Sequence, residues 1–402
     1  MTQAVILAGG FGTRLGSLTR ATPKPLLPVA GRPFIDILIA ELRRQGIDEI
    51  LVVAGFMAHL LEAHFATDEK VIVVSEPEPL GTGGALRFAA PHLAPSFFFL
   101  NGDSLFDVNL NDLSAAAGHA VSTLALRQMS DVSRYGPAEL DSEGRVVGFA
   151  ERPTRSGPGL INAGVGFFSR DILGWISPDG AVSIERDIYP LLAKKGQLRG
   201  RVYERPFIDI GIPSDYALAQ TEIPAMLTRG AVIFDRDGVL NEDIAYAHRQ
   251  DQIRWIEGAH RAVKLVNDAG LLALVATNQA GVAHGYYQEH HVLDLHRWMV
   301  SEIRRSGGNI DGFAYCPYHP EGALEAYRRA SEMRKPGPGM LIGLMKEHGV
   351  DPVRCVMVGD RETDMAAAAS AGIEGIFYPG GDLSNIVGPV VSRLTAPSRN
   401  RE

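Results

Sequence analysis

The sequence predicts an α/β protein of two domains, and three observations carry that prediction. Short apolar runs alternate with amphipathic stretches from the first residues onward. The apolar runs end in glycines or acids, as strands that feed ligand-binding loops do. A complete set of such units has passed before Ala231–Asn241, AVIFDRDGVLN, opens a second set. At 402 residues the chain exceeds what one core usually supports. The expected boundaries are 1–227 and 228–392, with 393–402 as a flexible tail because RLTAPSRNRE is polar.

Composition narrows the function classes. A 46% hydrophobic content is that of a globular protein, and a formal charge of -8 argues against nucleic acid as the main partner. No basic leader precedes a long apolar stretch, and no run of about 18 apolar residues occurs, so neither secretion nor membrane spanning is expected and the cytoplasm fits. Two cysteines, Cys316 and Cys355, are too few for a disulfide scaffold.

In the first half, Ala4–Leu7 is a strand leading into GGFGTRLGSLTRATPKPLLPVAGRP. Gly9, Gly10 and Gly12 permit tight turns and close phosphate approach, and Arg14 and Lys24 can place positive charge on a triphosphate. The spacing matches neither G-x-x-x-x-G-K-[ST] nor G-x-G-x-x-G. Pro33–Gln45 reads as an amphipathic helix, and Glu49–Ala54 and Val71–Val74 as strands. Gly81, Gly83 and Gly84 then leave room for a flat base, although an ordinary helix start would read the same. Phe97–Leu100 is a buried strand that delivers Asp103 to the carboxyl edge of the sheet, and Asp209 in FIDIGIPSDY makes a second carboxylate for a divalent ion. Val121–Leu126, Val146–Phe149 and INAGVGFF are further strands, with Glu151, Asn162 and Gly164 as polar contacts for hydroxyls or as plain structural hydrogen bonds. Ser183–Leu192 reads as a helix whose Glu185 and Asp187 form its polar face.

These motifs together resemble the sugar-1-phosphate nucleotidyltransferase family over nearly all of residues 2–222, which implies a Rossmann-like nucleotidyltransferase fold. The likeness is greatest to the guanylyltransferases that make GDP-D-glycero-α-D-manno-heptose, with mannose-1-phosphate guanylyltransferases nearby. It implies GTP and a sugar 1-phosphate as substrates. Ala8, Gly9, Gly10, Gly12, Thr13 and Arg14 would hold the nucleotide with Gly81, Thr82 and Gly83, and Asn101 would join Glu151, Asn162 and Gly164 at the sugar. Arg14 and Lys24 would be catalytic, and Asp103 and Asp209 would hold Mg²⁺. Attack by an already anionic phosphate on the α-phosphorus needs no general base; the protein must offset charge repulsion and align the reactants.

In the second half, Asp235 ends a strand and Asp237 follows in its turn. Ile256–Ala269 and Gln288–Arg304 read as helices, the latter presenting His290, His291 and His296 on a solvated or partly buried face. Leu271–Ala276 is a strand ending at Thr277, Lys335 stands at the start of a helix, and Cys355–Val358 is a strand ending in GDRETD. Strand-end Asp, strand-end Thr, late Lys and a final strand-end Asp occur in the order found in haloacid-dehalogenase-like phosphatases, which residues 229–380 resemble.

That resemblance implies Asp235 as nucleophile, Asp237 as acid and base, Thr277, Asn278, Arg334 and Lys335 at the phosphate, and Asp235, Asp237 and Asp360 around a second Mg²⁺, with Asp364 supporting the shell. Only about 40 residues separate Asp235 from Thr277, which implies a capless Rossmannoid fold selecting substrate by loops. DRDGVLN, TNQAGVAHGYY, CPYHP and RKPGPGM are most similar to the heptose-1,7-bisphosphate 7-phosphatases, with histidinol-phosphate phosphatases as relatives. That group commonly carries a structural zinc held by a Cys-x-His loop arrangement and a later Cys-x-Cys immediately before the lysine motif. Cys316 and His319 are present, the later cysteine pair is not, and zinc is not expected.

The joint expectation is a bifunctional enzyme in nucleotide-sugar biosynthesis. The second half would remove the 7-phosphate of a heptose 1,7-bisphosphate, and the first would transfer GMP to the remaining 1-phosphate. A transferase acting on mannose 1-phosphate or another sugar with an attached phosphatase is the enzymatic alternative, and a sugar-nucleotide sensor with one inactive half the other. Neither nucleic-acid nor membrane partners are expected, and the spacings do not specify an oligomeric state.

Overall fold

The computed structural model describes residues 3–133, 136–150 and 156–396. The chain divides into two compact units, Met1–Leu227 and Thr228–Glu402. Three residues, Thr228, Arg229 and Gly230, separate the last helix of the first unit from the first strand of the second.

The first unit is organised on a nine-stranded sheet. The elements that frame the sheet and the site are β1 (Gln3–Ala8), α1 (Phe34–Arg44), β2 (Glu49–Ala54), β3 (Val71–Ser75), α2 (Gly81–Phe88), β4 (Ser96–Asn101), β5 (Ser104–Phe106), β6 (Ser122–Met129), β7 (Pro137–Leu140), β8 (Val146–Phe149), β9 (Gly159–Ser169), α3 (Tyr189–Lys194), β10 (Leu198–Val202), β11 (Phe207–Asp209) and α4 (Pro213–Leu227). The path β8-β7-β9-β4-β1-β2-β3 is parallel from β4 to β3 and antiparallel where β9 joins β4, while β6 pairs with β9 and β10. Strand β4 shows why the run SFFFLN folds this way. Successive side chains of a strand point to opposite faces, so Phe97 and Phe99 enter one apolar cluster and Phe98 the other. Each ring so buried contributes about 1.5–3 kcal/mol.

The second unit repeats that logic. Its main elements are β12 (Ala231–Phe234), α5 (Ala259–Asp268), β13 (Leu272–Asn278), α6 (Glu289–Arg305), β14 (Gly312–Cys316), α7 (Gly339–Glu347), β15 (Cys355–Gly359), α8 (Glu362–Ser370), β16 (Glu374–Phe377) and α9 (Leu383–Thr395). The five strands are all parallel in the order β14-β13-β12-β15-β16. In central β12, Val232 and Phe234 face one cluster and Ala231 and Ile233 the other. The architecture is capless.

Three expectations are corrected. The helix expected over 183–192 is a π-helical turn, Ile184–Ile188, capped by the Ser183 side chain and followed by α3; Pro190 in the first turn of α3 has no N–H to extend the helical ladder backwards. Lys335 lies in a turn, and α7 starts four residues later at Gly339. The expected tail is helical as far as Thr395, because Leu394 packs on the core of the unit and its carbonyl accepts from Arg354 Nε.

Candidate functional sites

In the first unit the reactive groups gather at the carboxyl edge of β1 and β4. Gly12 adopts φ +61°, and a Cβ there would come within 2.8 Å of Thr19, so this turn requires glycine. Beyond β4, the β5–β11 ribbon sets Asp209 opposite Ser104, and the Ile210 N–H donates to the Asp103 carbonyl at 2.9 Å. Asp103 and Asp209 therefore stand side by side although they are 106 positions apart in the sequence. Lys24, buried in a short 3-10 turn, places Nζ 2.5 Å from Asp103 and 3.9 Å from Asp209. A Cβ on Gly211 would lie 3.3 Å from both the Arg14 guanidinium and the Lys24 ammonium, which puts all four charged groups around one point. Burial raises the Asp209 carboxyl above its usual range, and the neighbouring Asp103 adds to this. Two crowded carboxylates of this kind fit a divalent cation.

A cavity of about 330 Å³ opens beside them, lined in part by Ala8, Gly9, Gly10, Gly81, Thr82 and Asn101. Gly83 instead packs on Val182, its N–H donating to that carbonyl at 2.8 Å. Asn162 accepts from the Gly164 N–H at a bulge in β9, and Gly164, at φ +74°, has no room for a Cβ against Asn101. Thr13 begins the 3-10 turn after Gly12, and Glu151 lies outside the described residues.

Two acids in this cavity were not singled out as site residues from the sequence. Glu76 follows β3 at the carboxyl edge and reaches in beside Gly9; its Oε2 is buried without a hydrogen-bond partner, and burial raises its carboxyl. Its place just beyond a parallel strand was the available signal. Glu185, expected on the polar face of a helix, also lines the cavity and accepts from the Thr82 hydroxyl.

The second unit assembles its site at the corresponding edge. Asp235 follows β12, Thr277 and Asn278 end β13, and Asp360 follows β15. Lys335 reaches the same point because its main chain and the Asn278 side chain exchange two hydrogen bonds, at 3.0 and 3.1 Å. Its ammonium lies 2.8 Å from Asp235 and 2.6 Å from Asp364. Burial pushes the Asp235 carboxyl up to about 6, with Lys335 opposing and Asp364 reinforcing the shift. Burial alone would lower the Lys335 ammonium, but Asp235 and Asp364 together raise it.

Asp235, Asp360 and Asp364 bring carboxylate oxygens within 4.8 Å of one another, and Asp360 Oδ1 is buried without a hydrogen-bond partner. That donor set fits a hard divalent cation. It includes Asp364 and not Asp237, whose carboxylate takes hydrogen bonds from Arg236, Asn241 and Gln279. Gly238, at φ +97°, passes so close to Asp360 that a Cβ would collide with it at 2.2 Å.

The cavity over Asp235 measures about 260 Å³, and Tyr246, His284, His319, Arg334 and Arg361 form much of its wall. Arg334 Nη1 is buried without a hydrogen-bond partner, and burial lowers that guanidinium. His319 faces the cavity, whereas Cys316 is buried and its thiol is raised by burial. Of the solvated and partly buried readings of the histidine face, His296 goes further than the second: it is buried and lies against Arg236. A larger cavity, about 620 Å³, opens at the amino-terminal edge of β15 and β16 and contains none of these groups.

The nucleotidyl transferase family model matches residues 3–225, more than half of the chain, and a HAD-hydrolase-like model matches residues 332–385. The chain belongs to the nucleotidyl transferase family. Its transferase unit is 34% identical to the D-glycero-alpha-D-manno-heptose 1-phosphate guanylyltransferase of Campylobacter jejuni, over 53% of this chain and 96% of that protein. It is also similar to the crystal structure of HddC from Yersinia pseudotuberculosis, with 32% identity and a TM-score of 0.50, over 56% of this chain and all of that one. The second, HAD-like unit is 43% identical to the D-glycero-beta-D-manno-heptose-1,7-bisphosphate 7-phosphatase of Rhodopseudomonas palustris, over 41% of this chain and 92% of that protein. A nucleotidyl transferase is here fused to a HAD-like phosphatase, and both units are enzyme domains. Among the described residues no helix is long and apolar enough to cross a membrane.

Proposed function

We propose that the chain carries out two consecutive steps of heptose-nucleotide synthesis, both supported by Mg²⁺. The HAD-like unit hydrolyses the 7-phosphate of D-glycero-α-D-manno-heptose 1,7-bisphosphate, and the transferase unit joins the resulting 1-phosphate to GMP from GTP, releasing pyrophosphate. The observation that carries this reading is the pairing of a cation with clustered carboxylates at the carboxyl edge of each sheet: Lys24 with Asp103 and Asp209, Lys335 with Asp235 and Asp364.

Asp103 and Asp209 would hold the metal in the first site, and Asp235, Asp360 and Asp364 in the second. When bound, Mg²⁺ neutralises phosphate charge and polarises the phosphoryl group. In the HAD-like unit an Asp235 oxygen bonds to phosphorus as the bond to the sugar oxygen breaks, and Asp237 gives that oxygen its proton. Asp237 then takes a proton from water, whose oxygen displaces Asp235 from phosphorus. Lys335 and Thr277 bear the phosphoryl charge. The unpaired Arg334 nitrogen and the nearby Arg361 suit the second phosphate of a bisphosphate substrate. In the transferase unit Lys24 and Arg14 offset repulsion between the two phosphates. Glu76 suits guanine, which presents N1–H and N2–H donors together on one edge, whereas an ionised carboxylate only accepts.

The anomer follows from bond making. Hydrolysis at O7 leaves C1 untouched, so an α-configured product requires an α-configured substrate. The phosphatase relatives carry β in their names and the transferase relatives α; coupling within one chain calls for α throughout. The test is ³¹P NMR of the full chain with Mg²⁺ and each anomer of the bisphosphate, followed by GTP, ATP, UTP or CTP. Orthophosphate from the α-anomer, then pyrophosphate and a GDP-sugar with GTP, is the expected result. Turnover of the β-anomer alone, or orthophosphate with no nucleotide sugar, overturns the coupling.

A further inference from the structure

Arg236 lies between the two aspartates of the DRDG turn and is fully buried. A guanidinium removed from water must find partners for its donors or destabilise the fold. Its partners are unequal. Nη2 donates to both oxygens of Asp237, at 3.0 and 2.8 Å, and Nε reaches Oδ1 at 3.2 Å, so the planar fork meets the carboxylate side-on. Nη2 also reaches the Ala247 carbonyl at 2.8 Å. Nη1 faces His296 Nε2 at 3.4 Å. Arginine can only donate, so Nε2 accepts and the imidazole proton sits on Nδ1. His296 is stacked on Phe313 at 4.2 Å, and burial, with Arg236 beside it, holds the ring well below its usual pKa and therefore neutral. Asn241 and Gln279 supply the remaining donors to Asp237, at 2.9 and 3.2 Å, and Gln279 is itself held by the Tyr287 hydroxyl at 2.8 Å.

We infer that Arg236 is a positioning residue, whose buried fork sets the direction in which Asp237 presents its carboxyl to the reacting phosphate. The inference rests on Asp237 being the acid and base of the HAD-like unit. An aspartate on a turn has alternative side-chain rotamers. Donors on both its oxygens, themselves packed among Phe313, Tyr287 and His296, leave one. A cation serving only to anchor the loop through Ala247 would have no need to grip the acid side-on.

The consequence is chemical selectivity. A sugar alkoxide leaves only if Asp237 delivers a proton to it, whereas p-nitrophenolate leaves without one. Misdirecting Asp237 therefore slows phosphoryl transfer to Asp235 from an alkyl phosphate and spares transfer from an aryl phosphate. Breakdown of the aspartyl phosphate, which needs Asp237 as base, slows with either substrate.

The test is rapid-quench kinetics of the full chain with Mg²⁺, comparing wild type, Arg236→Lys, Asp237→Asn and the double variant on a heptose bisphosphate and on p-nitrophenyl phosphate. For Arg236→Lys we expect phosphoenzyme formation from the sugar phosphate to fall by about 100-fold. The p-nitrophenol burst should stay within about threefold of wild type and be followed by a slow steady state. Adding Arg236→Lys to Asp237→Asn should change little more, because both act through one carboxyl. Equal slowing of phosphoenzyme formation from both substrates, or additive losses in the double variant, overturns the proposal. If Arg236→Lys does not fold, Arg236→Met takes its place in the same comparison; failure of both to fold assigns the guanidinium to anchoring the loop and overturns the proposal too. Wild-type chain without any phosphatase activity dependent on Asp235 would instead refute the mechanism on which this inference stands.

Discussion

Glu76 concentrates the specificity question in one side chain. In the proposed function, its carboxyl accepts from both guanine donors only while ionised, because a proton turns one oxygen into a donor, and burial raises its pKa. Acidification therefore protonates it at a pH where an exposed glutamate is still charged, and guanine affinity falls as the pH drops through that raised value. Comparing GTP with ITP, which lacks the N2 donor, cancels the titration of the triphosphate itself. The GTP-over-ITP preference should be about 10-fold at neutral pH, shrink toward one under acid conditions, and be small at every pH in Glu76→Gln; isothermal titration across pH checks this. The charged residues separate the two chemistries. Lys24→Met should lower nucleotidyl transfer by about 100-fold or more and leave phosphatase turnover intact, whereas Asp235→Asn should abolish orthophosphate release and leave transfer intact. Coupled assays on the two full-length variants read both activities.

At the scale of elements, each site is made where strands end. The β5–β11 ribbon does for the transferase unit what the parallel order β13-β12-β15 does for the HAD-like unit: it brings acids distant in sequence to one edge. Register is decisive, because a shift of one residue turns a strand side chain to the opposite face. An alanine inserted between Ile208 and Asp209 should therefore remove nucleotidyl transfer while circular dichroism and phosphatase activity change little. Gly238→Ala tests the other unit. Its positive φ costs an alanine roughly 1–2 kcal/mol, and the added Cβ meets Asp360. The expected outcome is a lower melting temperature together with a weaker Mg²⁺ requirement curve, shifted to higher concentration.

For the whole molecule, the proposed function orders the two units opposite to their order in the chain. In the proposed sequence of reactions, phosphate removal by the second unit prepares the substrate of the first, and the configuration at C1 passes unchanged between them. The β-anomer of the bisphosphate should therefore yield no GDP-heptose even after long incubation, while the α-anomer yields it with orthophosphate appearing before pyrophosphate. Time-resolved ³¹P NMR distinguishes the two. Linking the units raises the concentration of the intermediate near the second site only on the length scale of the chain itself, so mixing Asp235→Asn with Lys24→Met chains should restore product, with a lag.

The sequence by itself determined the two α/β sets, the strand ends carrying Asp103, Asp235, Thr277 and Asp360, and the glycines of the phosphate loop. These are local properties: apolar periodicity, turn chemistry and the step from strand to loop are written within a few residues. Only the tertiary structure decided that Glu76 and Glu185 enter the transferase cavity, that Asp364 joins the acid cluster while Asp237 turns to Arg236, and that His296 is buried. Each of these depends on which strands become neighbours and on which charges lose water together. A side chain's partners across the fold, and the desolvation they share, have no signature in the residues on either side of it.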